Sequence, residues 1–363
     1  MKFLKRGFYL IAAAGIIVGA FNNTACNTKG GDVLIDITKD AFPTLSEYNL
    51  FKGNMADLVP NGRLLPYDLI TPLFSDYAEK ARFVYIPEGK QANYTEDGAI
   101  DFPVGTVLVK NFYYPNDFRD PAKGRRILET RMLIHREKGW DNLAYVWNKE
   151  QTDATLEIAG AQFPMSFIDK AGKKVEFNYA VPNKNQCGGC HEIGGKITPI
   201  GPKARNLNKE YPYADGKKNQ LLKWQDLGYL AGLKPINQVP HLAKWDDPNA
   251  GTLDARARGW LDVNCAHCHN PKGPAKNSGL DLSYTQTDLT AIGVGKYPVA
   301  AGAGAGTRAI DIDPGHPDNS IMVYRLQSTE SEIMMPELGR SMVHVESVDL
   351  IRQWITAMQP QVQ

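Results

Sequence analysis

Thr106-Val107-Leu108-Val109-Lys110-Asn111-Phe112-Tyr113-Tyr114 is the stretch that decides the fold of the N-terminal half of the chain. β-branched and aromatic residues dominate it, which is typical of a strand in a half-buried sheet. The same character returns in three further stretches, at residues 127–135, 143–147 and 174–179. Gly139-Trp140-Asp141 is predicted as the turn between two of these strands. Residues 43–180 are therefore predicted to form a β-rich domain, either a sandwich or a small barrel.

Outward from this region, the strand pattern fades after Pro182 and helical periodicity takes over. Residues 255–265 read as a helix, and residues 346–358 place apolar side chains at helical spacing.

The composition excludes one class of partner: Lys and Arg number 41 against 40 Asp and Glu in 363 residues. With no basic face or basic run, nothing predicts binding to nucleic acid.

Two short motifs carry the chemistry. Cys187-Gly188-Gly189-Cys190-His191 and Cys265-Ala266-His267-Cys268-His269 both match C-x-x-C-H, the pattern for covalent attachment of haem c. Two thiols three positions apart on one helical turn reach the two vinyl groups of a porphyrin, and the adjacent His supplies an axial nitrogen to iron. The sequence therefore predicts two covalently bound haem c groups. Their predicted attachment residues are Cys187, Cys190, Cys265 and Cys268, with His191 and His269 as iron ligands.

Three other uses of the cysteines explain the motifs less well. Two disulfides would not require a His after each pair. A zinc site built from both pairs would span a longer interval than the usual 15–20 residues. A thioredoxin-like redox motif would need a surrounding βαβ pattern, which the sequence lacks.

Residues 250–363 resemble the class I cytochrome c domain of bacterial periplasmic proteins. The segments that carry this resemblance follow CAHCH in order: Ser278-Gly279-Leu280-Asp281-Leu282, Asp313-Pro314-Gly315-His316-Pro317-Asp318-Asn319-Ser320, Met334-Met335-Pro336 and Gln353-Trp354-Ile355. From about residue 60 to the end, the chain also resembles an uncharacterised bacterial family of exported dihaem proteins. That resemblance is carried by residues 66–77 (PYDLITPLFSDY) and 200–208 (IGPKARNLN).

Together the patterns and the resemblance predict an α+β multidomain protein. A β-rich domain at 43–180 would be followed by a first-haem segment at 181–249. A cytochrome c domain with the second haem would fill 250–363, and the haem region is expected to be mostly α-helical.

In cytochrome c domains the sixth iron ligand is usually a Met before a Pro, well after the Cys motif. Met335 fits this position for the second haem, with Met334 and Met342 as competitors. A thioether ligand raises the reduction potential relative to a second imidazole. Arg308 and Arg325 are further candidates, as partners of the haem propionates.

The first haem has no Met at that spacing. His241, the only His between the two motifs, is the predicted sixth ligand. Met132, His135 and Met165 are alternatives from the β-rich region, and a five-coordinate iron stays open as well. Gly201-Pro202 follows at the interval where class I cytochromes use the Pro carbonyl to accept the Nδ1–H of the proximal His; a simple turn is the alternative. His267, between two cysteines, is expected at the surface.

The N-terminus predicts export. Lys2, Lys5 and Arg6 precede the apolar residues 8–21, a length typical of a signal peptide and short for a membrane span. Asn23-Thr24-Ala25-Cys26 suits a lipoprotein signal at its last three residues, although Asn23 departs from the usual Leu, Val or Ile. We expect a signal peptide at 1–26, a lipid on Cys26 that attaches the protein to a membrane, and a tether at 27–42. A retained anchor helix is the alternative.

These features predict a protein of the periplasm or cell envelope that transfers electrons between redox partner proteins. The main alternative is a peroxidase-like dihaem enzyme with an open site at the first haem. Another is a module in which the β-rich domain docks a partner or a carbohydrate and the haems supply electrons.

Overall fold

The computed structural model describes residues 32–359. The predicted signal segment and Cys26 lie outside the described residues. Within residues 32–359 no helix is long and apolar enough to cross a membrane.

The centre of the molecule is one antiparallel sheet of six strands in the order β3-β4-β6-β7-β8-β9. Across residues 32–359 the strands are β1 (Phe51–Lys52), β2 (Val59–Pro60), β3 (Leu65–Tyr67), β4 (Glu79–Tyr85), β5 (Ala92–Asn93), β6 (Val107–Pro115), β7 (Arg125–Arg136), β8 (Gly139–Trp147), β9 (Ala154–Leu156), β10 (Ala161–Ile168), β11 (Lys174–Val181), β12 (Glu192–Ile193), β13 (Lys196–Ile197), β14 (Glu210–Tyr213), β15 (Gly216–Asn219) and β16 (Leu230–Ala231).

The predicted strands are present, but the predicted sandwich or barrel is wrong. The six strands form an open sheet with β3 and β9 at its edges, and β10 and β11 pair only with each other. The predicted turn also shifts, because β7 and β8 extend to a pair between Arg136 and Gly139 and leave residues 137–138 as the turn.

The two faces of the sheet carry different layers because successive side chains of a strand point to opposite sides. One face of β6, with Val107 and Val109, packs on a core shared with residues 33–64. On the other face, Leu108 packs with residues 204–239, and Tyr114 packs with the β10–β11 hairpin. Lys110 lies between Leu108 and Tyr114 on this second face. Its side chain belongs to neither apolar cluster and lines a cavity between them.

The seven α-helices within residues 32–359 are α1 (Lys184–His191), α2 (Ala204–Leu207), α3 (Gln220–Asp226), α4 (Leu253–Asn264), α5 (Leu289–Ile292), α6 (Ile321–Gln327) and α7 (Val345–Thr356). Short 3-10 turns occupy Ser46–Tyr48, Met55–Asp57, Pro121–Lys123, Ile236–Gln238, Lys276–Ser278, Gly302–Ala305 and Pro317–Asn319.

The expected mostly α-helical, cytochrome c-like haem region is wrong. The protein is β-rich, and helices with their 3-10 turns make up 23% of the described residues. After residue 250 the helices have only 12, 4, 7 and 12 residues. The helices predicted at 255–265 and 346–358 do form, as α4 and α7, and they pack in one core. Between them, repeated Gly and Pro keep residues 265–320 largely irregular, since both residue types disfavour helix interiors.

Candidate cofactor-binding site

The first motif lies on α1, whose start is fixed by a capping box. Asn183 accepts a bond from the Gln186 backbone N–H, and the Gln186 side chain accepts one from the Asn183 N–H. At the other end of α1, the β12–β13 hairpin brings the chain back beneath the helix. The Nδ1 atom of His191 lies 3.0 Å from the Thr198 carbonyl oxygen. A carbonyl only accepts, so Nδ1 carries the hydrogen and Nε2 is left with its lone pair.

The prediction that Pro202 supplies this carbonyl is therefore wrong. The Pro202 oxygen accepts from the Ile100 N–H, at 2.9 Å, and ties the segment to the β-rich part of the chain. The Thr198 carbonyl takes the role expected of the Pro202 carbonyl and orients the His191 ring. A histidine that binds a metal usually donates its other ring N–H to such an acceptor.

The second motif follows the C-terminal end of α4 directly, with Cys265 as its C-cap. The Nδ1 atom of His269 lies 3.0 Å from the Ser278 hydroxyl. That hydroxyl already donates to the Ala275 carbonyl, at 2.7 Å. It must therefore accept from His269, which leaves Nε2 of His269 unprotonated, as in the first motif.

Both motif histidines are neutral at physiological pH. Burial lowers the pKa of His191 to about 3 and that of His269 to about 4, with nearby cations adding to the effect. Neutral imidazole is the form that binds metals.

Each motif opens onto its own cavity. The first cavity has a volume of about 150 Å³ and is lined by Cys187, Cys190 and His191. The second has a volume of about 360 Å³ and is lined by Cys265, Cys268 and His269. Each cavity is thus lined by both thiols and the terminal His of its own motif, among mostly apolar side chains. This donor set fits a covalently attached haem, which would supply a metal with accessible redox states at each motif.

The two cavities meet at one point. The Sγ atoms of Cys190 and Cys268 and a ring nitrogen of His267 all lie within 4.8 Å of one another. The Cys268 thiol donates to the Gly189 carbonyl oxygen at 3.9 Å, and its closeness to Cys190 lowers the pKa of Cys190. The expected surface position of His267 is wrong: it is only 6% exposed, lines both cavities, and its Nδ1 has no hydrogen-bond partner among residues 32–359. α1 thus contacts the second motif through Gly189 and Cys190.

Met335 borders both cavities. Its place in the second cavity is the one that a ligand of the second iron would require. Two groups hold its loop. The buried guanidinium of Arg340 donates to the Met335 carbonyl through Nε at 3.0 Å and Nη2 at 2.8 Å. The carboxylate of Asp76 accepts from the N–H groups of Ser341 and Met342, at 2.7 and 2.8 Å, and so anchors the loop near the start of β4. Met334 lines neither cavity, and Met342 packs with the hairpin cluster.

His241, the predicted sixth ligand of the first haem, is exposed and lines neither cavity. Of its alternatives, Met132 packs in the core on the opposite face of the sheet. His135 stacks on Trp140 with ring centroids 4.4 Å apart. Met165 packs in the hairpin cluster. The structure does not bring these residues to the iron-binding side of His191.

Of the two arginines predicted near propionates, Arg325 lines the second cavity and Arg308 lines neither. Arg308 instead bonds the Asp318 carbonyl and stacks over Tyr324.

Sequence reasoning missed His344, which lines the first cavity. Its ring stacks on Phe74 with centroids 4.2 Å apart, and Trp245 packs edge-on at 4.8 Å. Burial lowers its pKa to about 4, and its Nδ1 has no hydrogen-bond partner within the described chain. Its position just before α7 carries no sequence signal, because the stacking partners come from distant segments.

Sequence reasoning also missed a cationic wall, which is defined by four side chains on β4, β6 and β7 that line the first cavity: Lys80, Arg82, Lys110 and Arg131. A lysine in the middle of the apolar run at 106–114 was the available signal.

Comparison of the chain with protein-family models, with curated proteins and with solved structures finds no match.

Proposed function

We propose that the protein is an extracytoplasmic dihaem c-type cytochrome that passes electrons between redox partner proteins, with one haem on each C-x-x-C-H motif. The proposal rests first on the two motifs, each of which places two thiols and one neutral imidazole in one cavity.

The observation that carries the relay function is the contact between the motifs. Cys190 belongs to the first motif and Cys268 to the second, yet their sulfurs lie within 4.8 Å of each other. Both sulfurs are attachment points in the proposed holoprotein. Two attachment points so close favour electron exchange between the groups that they carry, and independent cofactors would need no such contact.

The surroundings favour redox chemistry without large rearrangement. Each motif His is held by a hydrogen bond from Nδ1, and Met335 is held by Arg340. Fixed ligands and acceptors tune the potential of a haem iron.

Mass spectrometry of denatured protein, matured in a periplasm that attaches haem, tests the cofactor. We expect two haem increments. Replacing Cys187 and Cys190 by Ala should remove one increment, and replacing Cys265 and Cys268 by Ala should remove the other. Zinc in place of haem, held by Cys190, His267 and Cys268, would contradict the proposal.

Potentiometry of the same variants tests the relay. In each single-haem variant the remaining haem should change its midpoint potential, because the charge on one iron acts on its neighbour. Two potentials that stay unchanged would mean independent haems. Rapid binding of cyanide, carbon monoxide or peroxide to one iron of the wild-type protein would favour the dihaem enzyme instead.

A further inference from the structure

The cationic wall is arranged in a way that a sheet does not normally tolerate. Arg82, Lys110 and Arg131 lie directly opposite one another on β4, β6 and β7. Like charges at directly opposed positions destabilise a sheet. Lys80 lies on the same face two residues before Arg82, so four cations line one side of the first cavity.

Only two of the four cations have a carboxylate partner. Arg82 pairs with Asp68 at 2.9 Å. Arg131 pairs with the buried Glu129 through two bonds, of 2.6 and 2.8 Å.

Lys80 and Lys110 form no ion pair and no side-chain hydrogen bond with any residue in the range 32–359. Both ammonium groups lie over the buried ring of Phe112, whose centroid is 5.9 Å from Lys80 and 4.9 Å from Lys110, and Arg131 lies over the same ring. Two lysines of the wall are therefore left without a carboxylate partner.

Lys80 and Lys110 are half-buried. An aromatic ring compensates only in part for the water that their ammonium groups lose. Burial, together with the neighbouring Arg131 and Arg82, lowers the pKa of Lys110 to about 7. An apolar residue would serve the sheet better at this position, so the lysines point to an anion that the protein chain does not supply.

We propose that Lys80 and Lys110 form a carboxylate-binding site in the first cavity, and that the two carboxylates of the haem on Cys187 and Cys190 are its ligands. This inference rests on the proposed function, which places that haem in the cavity. The match is one of number and place: two lysines without a carboxylate partner line the cavity that holds the attachment residues, and a haem there would bring two carboxylates.

The first test uses the holoprotein. Lys110→Met should lower the midpoint potential of the first haem, because loss of a positive charge beside its carboxylates favours the oxidised iron. The matched control is Lys138→Met, which removes the same charge from the exposed β7–β8 turn of the same sheet. The shift for Lys110→Met should be several times that of the control. Equal shifts would overturn the inference.

The second test asks where the carboxylate comes from. In the variant with Cys187 and Cys190 replaced by Ala, the first haem is absent and the lysines are free. Sodium acetate should then raise the thermal midpoint relative to equal sodium chloride, and adding Lys110→Met should abolish that rise. In the holoprotein acetate should have no such effect, because the haem carboxylates already occupy the site.

The outcomes separate cleanly. If acetate also stabilises the holoprotein through Lys110, the ligand is an anion from solution and the haem assignment is overturned. If acetate stabilises neither form, the carboxylate site itself is refuted. Failure of the proposed function is a different result, because the mass spectrum would then lack the first haem increment before either test begins.

Discussion

Replacing Arg340 by Met should release the loop that carries Met335. Arg340 is 8% exposed, and its guanidinium donates to the backbone carbonyls of four residues. These acceptors and their distances are Met335 at 3.0 and 2.8 Å, Met342 at 3.1 Å, Arg325 at 3.2 Å and Ser328 at 2.9 Å. Met keeps most of the apolar stem and removes every donor, so four carbonyls lose a charged partner at once.

The magnitude follows from the number of bonds. A hydrogen bond to a charged group contributes about 1.5–3 kcal/mol, and such contributions do not add fully when one donor group makes several of them. We therefore expect the free energy of unfolding to fall by about 3 kcal/mol. The control is Arg352→Met, whose guanidinium is bonded to the exposed Asp318. Exposed pairs contribute less than about 1 kcal/mol.

Urea unfolding of the holoprotein measures both variants, and the near-infrared Met-to-iron band reports whether the second haem keeps its ligand. Arg340→Met should weaken or abolish that band, whereas Arg352→Met should leave it intact. A variant at position 340 that matches the control in both readouts would refute the role assigned to the guanidinium.

Further predictions address the two haem sites, the buried charges and the N-terminus. Ser278→Ala removes the acceptor of the second motif histidine and should raise the potential of that haem, since a less basic imidazole favours reduced iron; an unchanged potential would contradict this. His344→Ala should alter the spectrum of the first haem and His241→Ala should not, and the reverse result would restore the sequence-based assignment. Burial alone would raise the pKa of Asp262, but the cations beside it lower that pKa overall. The ionised carboxylate therefore stabilises the fold above about pH 4, and this stabilisation is lost as the pH falls further. Asp262→Asn should lower the free energy of unfolding at pH 7 by about 3 kcal/mol and should make the stability less dependent on pH below about 4. Cys26→Ser should release the protein from the membrane fraction, whereas a mature N-terminus mapped beyond residue 26 would rule out lipidation.

Strands were predictable because their signal is local. Alternation and β-branched residues located β6, β7, β8 and β11 to within a few residues. How the strands assemble depends on contacts with segments far along the chain. Residues 204–239 cover one face of the sheet, and no local pattern indicates that they do. The open sheet with a covering layer was therefore missed in favour of a sandwich or barrel.

The candidate site likewise has residues that local spacing predicts and residues that only distant contacts place there. The motif cysteines and histidines are recognisable from spacing alone. The acceptor of His191 is not, because it depends on the β12–β13 hairpin turning Thr198 back under α1. His241 was chosen because it lies between the motifs in sequence, but the chain carries it to the surface while α7 delivers His344 to the cavity.

The contact between Cys190 and Cys268 also constrains how the protein is made. In an oxidising compartment, two thiols within 4.8 Å of each other are candidates for a disulfide, which would use one sulfur from each motif. Under the proposed function, haem would therefore have to be added while α1 and the end of α4 are still apart, or after a reductase has reopened the disulfide. Covalent attachment would then have to precede the last step of folding.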